Sequence, residues 1–343
     1  LPICLLHGRR RTLEPTGLPP AGEPLDICSV AGNFGSSSRP AYGSRHACAL
    51  ENRGLAATRG SEFMIRPVQK RLFAVIGNPV AHSLSPAMMN AAFEKLDLAA
   101  VYVALEVDAV EEDLERLFLM GFSGLSVTLP HKEAACRLAQ HVDATGKAIG
   151  AVNTLRRLET GWEGCNTDWI GANRSLEAAV SLQGKRSIIL GAGGVARAVA
   201  YGLRRSGATV TICNRSVERG NALADRFQCE FIPLAELNRR DCGHAFDVVV
   251  QCTSVGLQGK ESSPLVSESF FHPGMVVLET VYRPLWTPFL QMAQKKGCVI
   301  VPGLEMLLHQ GVAQLEWWLE IRSLPLEGVE VMRNTLERML ENE

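Results

Sequence analysis

None of the chain's ten cysteines pairs at C-x-x-C spacing, and no His-rich cluster accompanies them. That spacing argues against a zinc site, and the scattered thiols read as reduced cysteines of a cytoplasmic protein. An excess of charge of either sign is lacking too. Thirty-five Lys and Arg stand against 36 Asp and Glu, a formal net charge of −1, with no long basic run. No general attraction to nucleic acid or to an anionic membrane surface is expected. No apolar stretch approaches the roughly 18 residues that a membrane span needs. Internal repeats and coiled-coil heptads are absent as well.

What is present is ordinary globular composition. The 343 residues are 46% hydrophobic and 21% charged, enough length for two domains. The first 63 residues stand apart. They hold seven Arg and no Lys, are rich in Gly, Pro and Ser, and sustain no hydrophobic period. Gly60-Ser61-Glu62-Phe63 before Met64 resembles a translated cloning junction, so residues 1–63 are expected to be a disordered, functionally silent vector-derived leader. A transit peptide is the alternative, opposed by Glu14, Glu23, Asp26 and Glu51.

From Arg71 onward strand-like and helix-like stretches alternate. Strands are expected over 72–76, 102–107 and 124–129, and helices over 86–96 and 110–120. Such alternation predicts a mostly parallel sheet with helices on both faces. Residues 151–158 and 161–166 read as a strand pair around a Glu159-Thr160-Gly161 turn. A second α/β unit begins near Gly184, with strands over 187–190, 209–213, 231–233, 245–252 and 275–281 and helices over 195–205 and 217–227. Helices over 288–296, 304–320 and 326–340 follow. Two such units predict a cleft between them, a common setting for small-molecule sites.

Residues 188–196 join a strand, a glycine turn and a helix start. Gly191 permits the tight turn, Gly193 lets backbone N–H groups approach a pyrophosphate, and Ala196 allows close helix–strand packing. The helix N-terminus adds partial positive charge. At the end of the next strand, dinucleotide sites for NAD place an acid on the ribose hydroxyl. This chain has Asn214-Arg215-Ser216 there, with Arg219 four residues on. Without the acid and with a guanidinium present, a 2′-phosphate is the better guest, so NADP is the expected cofactor.

Lys132 follows the short β-rich run 124–129 and Pro130, which withholds a ladder donor. It thus leaves from the edge of a sheet where α/β proteins keep their ligands. Asp168 comes 36 residues later, and a lysine and a carboxylate beside a nicotinamide suit alcohol–ketone redox chemistry. Ser83 and Ser85 precede or begin a helix. Ser85 before Pro86 suits an N-cap, and two hydroxyls at a helix N-terminus suit a carboxylate equally well. Local readings leave Asp168 open as an N-cap for a helix near Ile170, Asn153 as a turn residue, Tyr282 as a core aromatic and Gln310 as an exposed helix position.

These motifs in this order resemble the shikimate dehydrogenase family. The resemblance runs from Arg71 to Leu340, through Ser83-x-Ser85-Pro86, Val127-Thr128-x-Pro130-x-Lys132, Ile149-Gly150-Ala151-Val152-Asn153-Thr154, Asn166-Thr167-Asp168, the Gly191 loop, Asn214-Arg215-Ser216, Thr253-Ser254-Val255-Gly256, Tyr282-x-Pro284 and Gly303-Leu304-x-Met306-Leu307-x-x-Gln310. It implies an oxidoreductase that reversibly reduces 3-dehydroshikimate to shikimate with NADPH in aromatic amino-acid biosynthesis. Lys132 and Asp168 would flank the reacting C3 oxygen. Ser83 and Ser85 would bind the substrate carboxylate, with Thr128, Asn153, Tyr282 and Gln310 positioning the carboxylate and ring hydroxyls. Gly191, Ala192, Gly193, Gly194, Val195, Asn214, Arg215, Ser216, Arg219 and Thr253 would hold NADP, and Thr280 and Gly303 would lie along the nicotinamide. His131 is expected to be structural.

The implied architecture is α/β with two domains. An N-terminal substrate-binding catalytic domain (64–167 plus 303–343) with a mostly parallel sheet carries an inserted Rossmann-like NADP domain (168–302), with hinges near Asp168 and Gly303. A small-molecule substrate is the expected partner, with neither nucleic acid nor membrane and no metal. A homodimer is left open. Three departures stand out. Ser126 replaces a frequent Asn, so one hydrogen bond to a substrate hydroxyl should be weaker or water-mediated. Met89 replaces a common His, and Glu279 a frequent Asp. The nearest rival is an NAD-using quinate/shikimate dehydrogenase, opposed by Arg215 and by Ser85 where quinate users carry Thr. A catalytically inactive NADP-binding regulator would have lost Lys132 or Asp168.

Overall fold

The computed structural model describes residues 70–240, 243–257 and 264–341, so the leader expected over 1–63 lies outside the described residues. The first sheet is built from β1 (Arg71–Gly77), β2 (Ala100–Glu106), β3 (Phe122–Val127), β4 (His141–Val142), β5 (Thr154–Arg157) and β6 (Trp162–Cys165), interleaved with α1 (Ser85–Lys95), α2 (Val110–Leu119), α3 (Lys132–Leu138) and α4 (Ala144–Ile149). After α5 (Asp168–Glu177) come β7 (Arg186–Leu190), α6 (Gly194–Arg205), β8 (Thr209–Asn214), α7 (Val217–Phe227), β9 (Glu230–Pro233), α8 (Leu234–Arg240), β10 (Val248–Gln251), β11 (Val276–Glu279), α9 (Pro288–Lys295) and β12 (Val299–Val301). Helices α10 (Gly303–Leu319) and α11 (Leu326–Glu341) follow.

The first sheet runs β2-β1-β3-β5-β6-β4. Its β1–β2, β1–β3 and β4–β6 pairs are parallel, while β5 runs antiparallel to both neighbours. β1 is buried on both faces because its side chains alternate between two cores. Phe73 and Val75 enter one with α1, α10 and α11, and Ala74 and Ile76 enter the other with α2. The two last helices thus pack back on the first sheet. Trp318 of α10 lies 4.9 Å from the Phe73 ring, and its indole N–H donates to the Leu155 carbonyl at 2.9 Å, which satisfies its polar edge.

The second sheet, β12-β11-β10-β7-β8-β9, is parallel throughout. Chain order reverses between β7 and β10, which opens a crevice at the C-terminal strand ends. Helix α6 packs Ala198 against Ile149 and Ala151, and Arg226 of α7 donates to the carbonyls of Lys147 and Ala148 at the end of α4.

The expected strand pair around residues 159–161 is present. Other boundaries differ. β3 stops at Val127 rather than 129, because Thr128 turns and its carbonyl takes the His131 N–H. The strand expected over 245–252 shrinks to Val248–Gln251, behind a single 3-10 turn at Gly243–Ala245. β11 ends at Glu279, whose own side chain takes the Val281 N–H that a longer strand would give to a neighbour. The short elements α3, α4, α8, β4 and β12 were not expected, since helices of six or seven residues and strands of two or three hold too little of a period to read.

Candidate active site

Register brings the site together. Ser126, Thr154 and Cys165 sit side by side across β3, β5 and β6, so the ends of β3 and β6 meet the start of β5. Lys132 opens α3 just beyond β3, Asn153 precedes β5, and Asp168 opens α5 just beyond β6. All three are buried. The Lys132 Nζ donates to Asp168 Oδ2 at 2.7 Å, and Asn153 Nδ2 donates to Asp168 Oδ1 at 2.8 Å. Asp168 is the first helical residue, with Thr167 in the N-cap place. Its carboxylate therefore does not cap a helix near Ile170, and it points at Lys132 and Asn153 instead. Replacing a buried ion pair by apolar side chains is often neutral or stabilising, so stability alone does not account for this one. His131, beside Lys132, is buried with Nε2 donating to the Val107 carbonyl at 2.6 Å, a structural role as expected.

Asn153 is a hub rather than a turn residue. Its Oδ1 accepts the Thr167 N–H at 2.7 Å and the Thr154 hydroxyl at 2.9 Å. Gln310 is half-buried on α10, with Oε1 3.5 Å from Asn153 Nδ2 and Nε2 donating to the Leu307 carbonyl. It faces the site and is not an exposed helix position.

Helix α1 begins at Ser85 with Leu84 in the N-cap place and no side-chain cap. Of the two readings left open for Ser85, the capping one is therefore not realised. Pro86 fills the second helical position, and the Ser85 N–H donates instead to Ser83 Oγ at 3.3 Å. Thr128 lies against Gly77, where an added Cβ would meet the Thr128 methyl at 2.3 Å and the Leu129 carbonyl at 2.9 Å. Only glycine lets the two chain ends come so close. Tyr282 is partly buried against the first core, and its neighbour Arg283 donates to the His82 carbonyl shortly before α1. Ser126 differs from the expectation of a loose contact to a substrate hydroxyl. Its hydroxyl accepts from Tyr102 at 2.6 Å and donates to Gln314 Oε1 at 2.8 Å. Met89 packs fully in the core, as expected of a packing change.

The cofactor candidates gather at the C-terminal edge of the second sheet. Gly191, at φ +123°, follows β7 where an added Cβ would meet the Cys252 backbone at 3.1 Å. Added Cβ atoms at Gly193 and Gly194 would meet nothing within 4 Å, so the backbone of Gly191-Ala192-Gly193-Gly194-Val195 presents open space at the α6 N-terminus. That open, positive turn fits a pyrophosphate. Asn214, Arg215, Ser216 and Arg219 stand at the end of the neighbouring β8, with both arginines exposed. The Ser216 hydroxyl caps α7 by accepting the Arg219 N–H at 3.3 Å, which orients the turn bearing Arg215. Thr253 follows β10, and Thr280 follows β11 with its N–H on the Gln251 carbonyl. At Gly303 an added Cβ would strike the Val281 and Glu279 carbonyls. Among the described residues, no cluster of three His, Cys, Asp or Glu side chains is placed to hold a metal ion, and no helix is long and apolar enough to cross a membrane.

One group escaped the sequence reading, and a second, Glu279, was noted there only as a departure from the family pattern. Gln314 is 1% exposed among apolar neighbours on α10, one turn beyond Gln310, and that i,i+4 glutamine in an apolar stretch was the available signal. Glu279 is fully buried. Burial pushes its carboxyl up to about 7, against hydrogen bonds from the Val281 N–H and the Thr287 hydroxyl. Burial also holds the Tyr102 hydroxyl well above the usual phenol range, so it serves as a neutral donor.

Comparison with known proteins gives three consecutive family matches. They are the shikimate dehydrogenase substrate binding domain over residues 75–155, shikimate / quinate 5-dehydrogenase over 172–258, and the shikimate 5'-dehydrogenase C-terminal domain over 303–337. The shikimate dehydrogenase (NADP(+)) of Syntrophobacter fumaroxidans is 60% identical over 281 residues, 82% of this chain and 98% of its own length. The fold is similar to that of Thermus thermophilus shikimate 5-dehydrogenase in complex with NADP(H) and shikimate, with TM-score 0.70, 37% identity, and coverage of 77% of this chain and 99% of that one. It is also similar to quinate dehydrogenase from Corynebacterium glutamicum in complex with NAD, with TM-score 0.71, 27% identity, and coverage of 78% and 99%.

Proposed function

The chain belongs to the shikimate dehydrogenase family, and from that premise we propose how its residues carry out the reversible NADP-dependent interconversion of shikimate and 3-dehydroshikimate. The observation that carries the reading is the buried Lys132–Asp168 pair, steadied by Asn153 at the sheet edge. In oxidation the substrate hydroxyl must lose a proton as hydride leaves the same carbon. Lys132 and Asp168 take up that proton, and Lys132 offers positive charge to the oxygen as negative charge develops there. In reduction the pair returns it. Bound NADP supplies the hydride acceptor or donor. Asn153 keeps Asp168 facing Lys132, and Gln310 lines the same wall.

Ser83 and Ser85 at the start of α1 take the substrate carboxylate, with Tyr282 and Thr128 beside them. The turn Gly191–Val195 and Thr253 hold the pyrophosphate side of NADP. Arg215, with Asn214, Ser216 and Arg219, meets the 2′-phosphate by charge-assisted hydrogen bonds. Thr280 and Gly303 border the nicotinamide. We read residues 64–167 with the helices from Gly303 as the substrate half and 168–302 as the NADP half. Packing of α10 and α11 into the core of the first sheet supports this division. The halves would close about Asp168 and Gly303, where α5 and α10 begin. All six cysteines among the described residues are free thiols, which supports a cytoplasmic location.

The test is turnover of shikimate with NADP⁺ by the purified protein, followed by absorbance of the reduced cofactor. No turnover overturns the reading. Quinate and NAD⁺ in parallel wells test the rival dehydrogenase, which predicts the faster rate with that pair.

A further inference from the structure

Asn153 steadies Asp168 only while its amide faces the right way, since Nδ2 and not Oδ1 must meet the carboxylate. The orientation is set from behind. Oδ1 accepts the Thr167 N–H at 2.7 Å and, beside it, the Thr154 hydroxyl at 2.9 Å, whose oxygen takes a donor of its own. The donor is Gln314 Nε2, 3.0 Å from Thr154 Oγ1 and 3.2 Å from the Asn153 carbonyl. A carbonyl can only accept, so the amino group of Gln314 must face Asn153 and its Oε1 must face the other way. There Oε1 accepts the Ser126 hydroxyl, which in turn accepts Tyr102. Water has little access, for Tyr102, Thr154 and Gln314 are 1%, 0% and 1% exposed.

We propose that Gln314 is a positioning residue for the reaction, acting through Thr154 and the Asn153 carbonyl, and together with the Thr167 N–H, to hold the amide of Asn153 so that it keeps Asp168 toward Lys132. Ser126 is the complement of this arrangement. Its short hydroxyl lets Gln314 reach between β3 and β5, and it fixes the far end of the glutamine. The Gln314 side chain bonds to Ser126, Thr154 and the Asn153 carbonyl and not to Lys132 or Asp168, so its effect on rate passes through Asn153. The proposal rests on the assignment of Lys132 and Asp168 to the reacting oxygen.

A cycle of Gln314→Met, Asn153→Ala and the double variant tests it. Methionine keeps the length of glutamine and removes its hydrogen bonds. Gln314→Met should lower kcat about tenfold, the effect of one misplaced hydrogen bond, with KM for NADP⁺ unchanged. In the Asn153→Ala background the same change should cost nothing further. A loss of equal size in both backgrounds overturns the proposal. So does a raised KM for shikimate with kcat retained, which would mark a direct substrate contact. If Gln314→Met does not fold, Thr154 carries the same test. Thr154→Ser should keep the wild-type kcat and Thr154→Val should lose about tenfold, and equal rates in the two overturn the proposal. Absence of wild-type turnover overturns the assignment of the pair along with it, whereas independent losses in an active enzyme overturn this inference alone.

Discussion

Glu279→Gln should flatten part of the pH dependence of stability. Glu279 ends β11 with no exposure, its Oε1 accepting the Val281 N–H and its Oε2 the Thr287 hydroxyl, each at 3.1 Å. The titratable group beside it is the Cys252 thiol, itself pushed well up by burial and by this carboxyl. Burial outweighs the hydrogen bonds and raises Glu279 from 4.5 to about 7. A carboxyl that binds its proton more tightly when folded stabilises the fold most below its unfolded value. That contribution is lost as pH rises through the folded value, here from 4.5 to about 7. The full difference is about 3 kcal/mol, of which about 2 kcal/mol falls between roughly pH 5.5 and 8.5. Glutamine keeps the shape, can accept from Val281 and donate to the Thr287 oxygen, and does not titrate. Urea unfolding of both proteins at the two pH values reads the effect. Groups common to both cancel, so the wild type should lose about 2 kcal/mol relative to the variant as pH rises. Parallel stability curves would refute the reasoning. The same carboxyl anchors the segment bearing Tyr282, so substrate KM should track the change.

Lys132→Met should lower kcat by about 10²–10⁴-fold through loss of the proton-handling pair. The rate is to be compared where circular dichroism shows the fold intact, since a buried carboxylate left alone costs about 3–5 kcal/mol. A rate loss no larger than the unfolded fraction would make Lys132 structural. Arg215→Ala should raise KM for NADP⁺ by about 10- to 100-fold, the worth of charge-assisted hydrogen bonds, and leave turnover with NAD⁺ as it was. Initial rates with both cofactors check this, and equal losses would remove the 2′-phosphate from the account.

The dinucleotide turn was the most legible part of the sequence. Gly191, Gly193 and Ala196 lie in one short segment, so strand, turn and helix can be read without knowing any other contact. Helix α7 was readable to the residue because Ser216 caps it and an amphipathic stripe runs to Phe227. Lys132 and Asp168 were visible as candidates, but their meeting was not, because 36 residues with α3, β4, α4 and the β5–β6 pair separate them. The capping alternative at Ser85 failed by one residue. Leu84 already has helical backbone angles, so the helix begins earlier and the Ser85 side chain is released from capping. Ser126 was read by analogy as a loosened substrate contact. Its partners Tyr102 and Gln314 come from β2 and α10, and no local pattern brings those elements to β3.

The reversal of β5 explains why the site takes this form. In a parallel sheet only strand C-termini reach the ligand edge, and each strand offers one loop there. β5 runs against β3 and β6 and so delivers its N-terminal end, Asn153-Thr154, between the ends of both. Were β5 parallel, Asn153 would lie at the far edge, about 13 Å away over a four-residue strand, and Asp168 would lose the donor to its second oxygen. The sequence shows the reversal only as a tight turn at Glu159-Thr160-Gly161. The consequence depends on β5 pairing with β3 across α3, β4 and α4. Gln314 of α10 then bonds to residues of both strands, to Ser126 on β3 and to Thr154 on β5. A helix from the end of the chain thereby closes over the seam on which Asn153 and Asp168 depend.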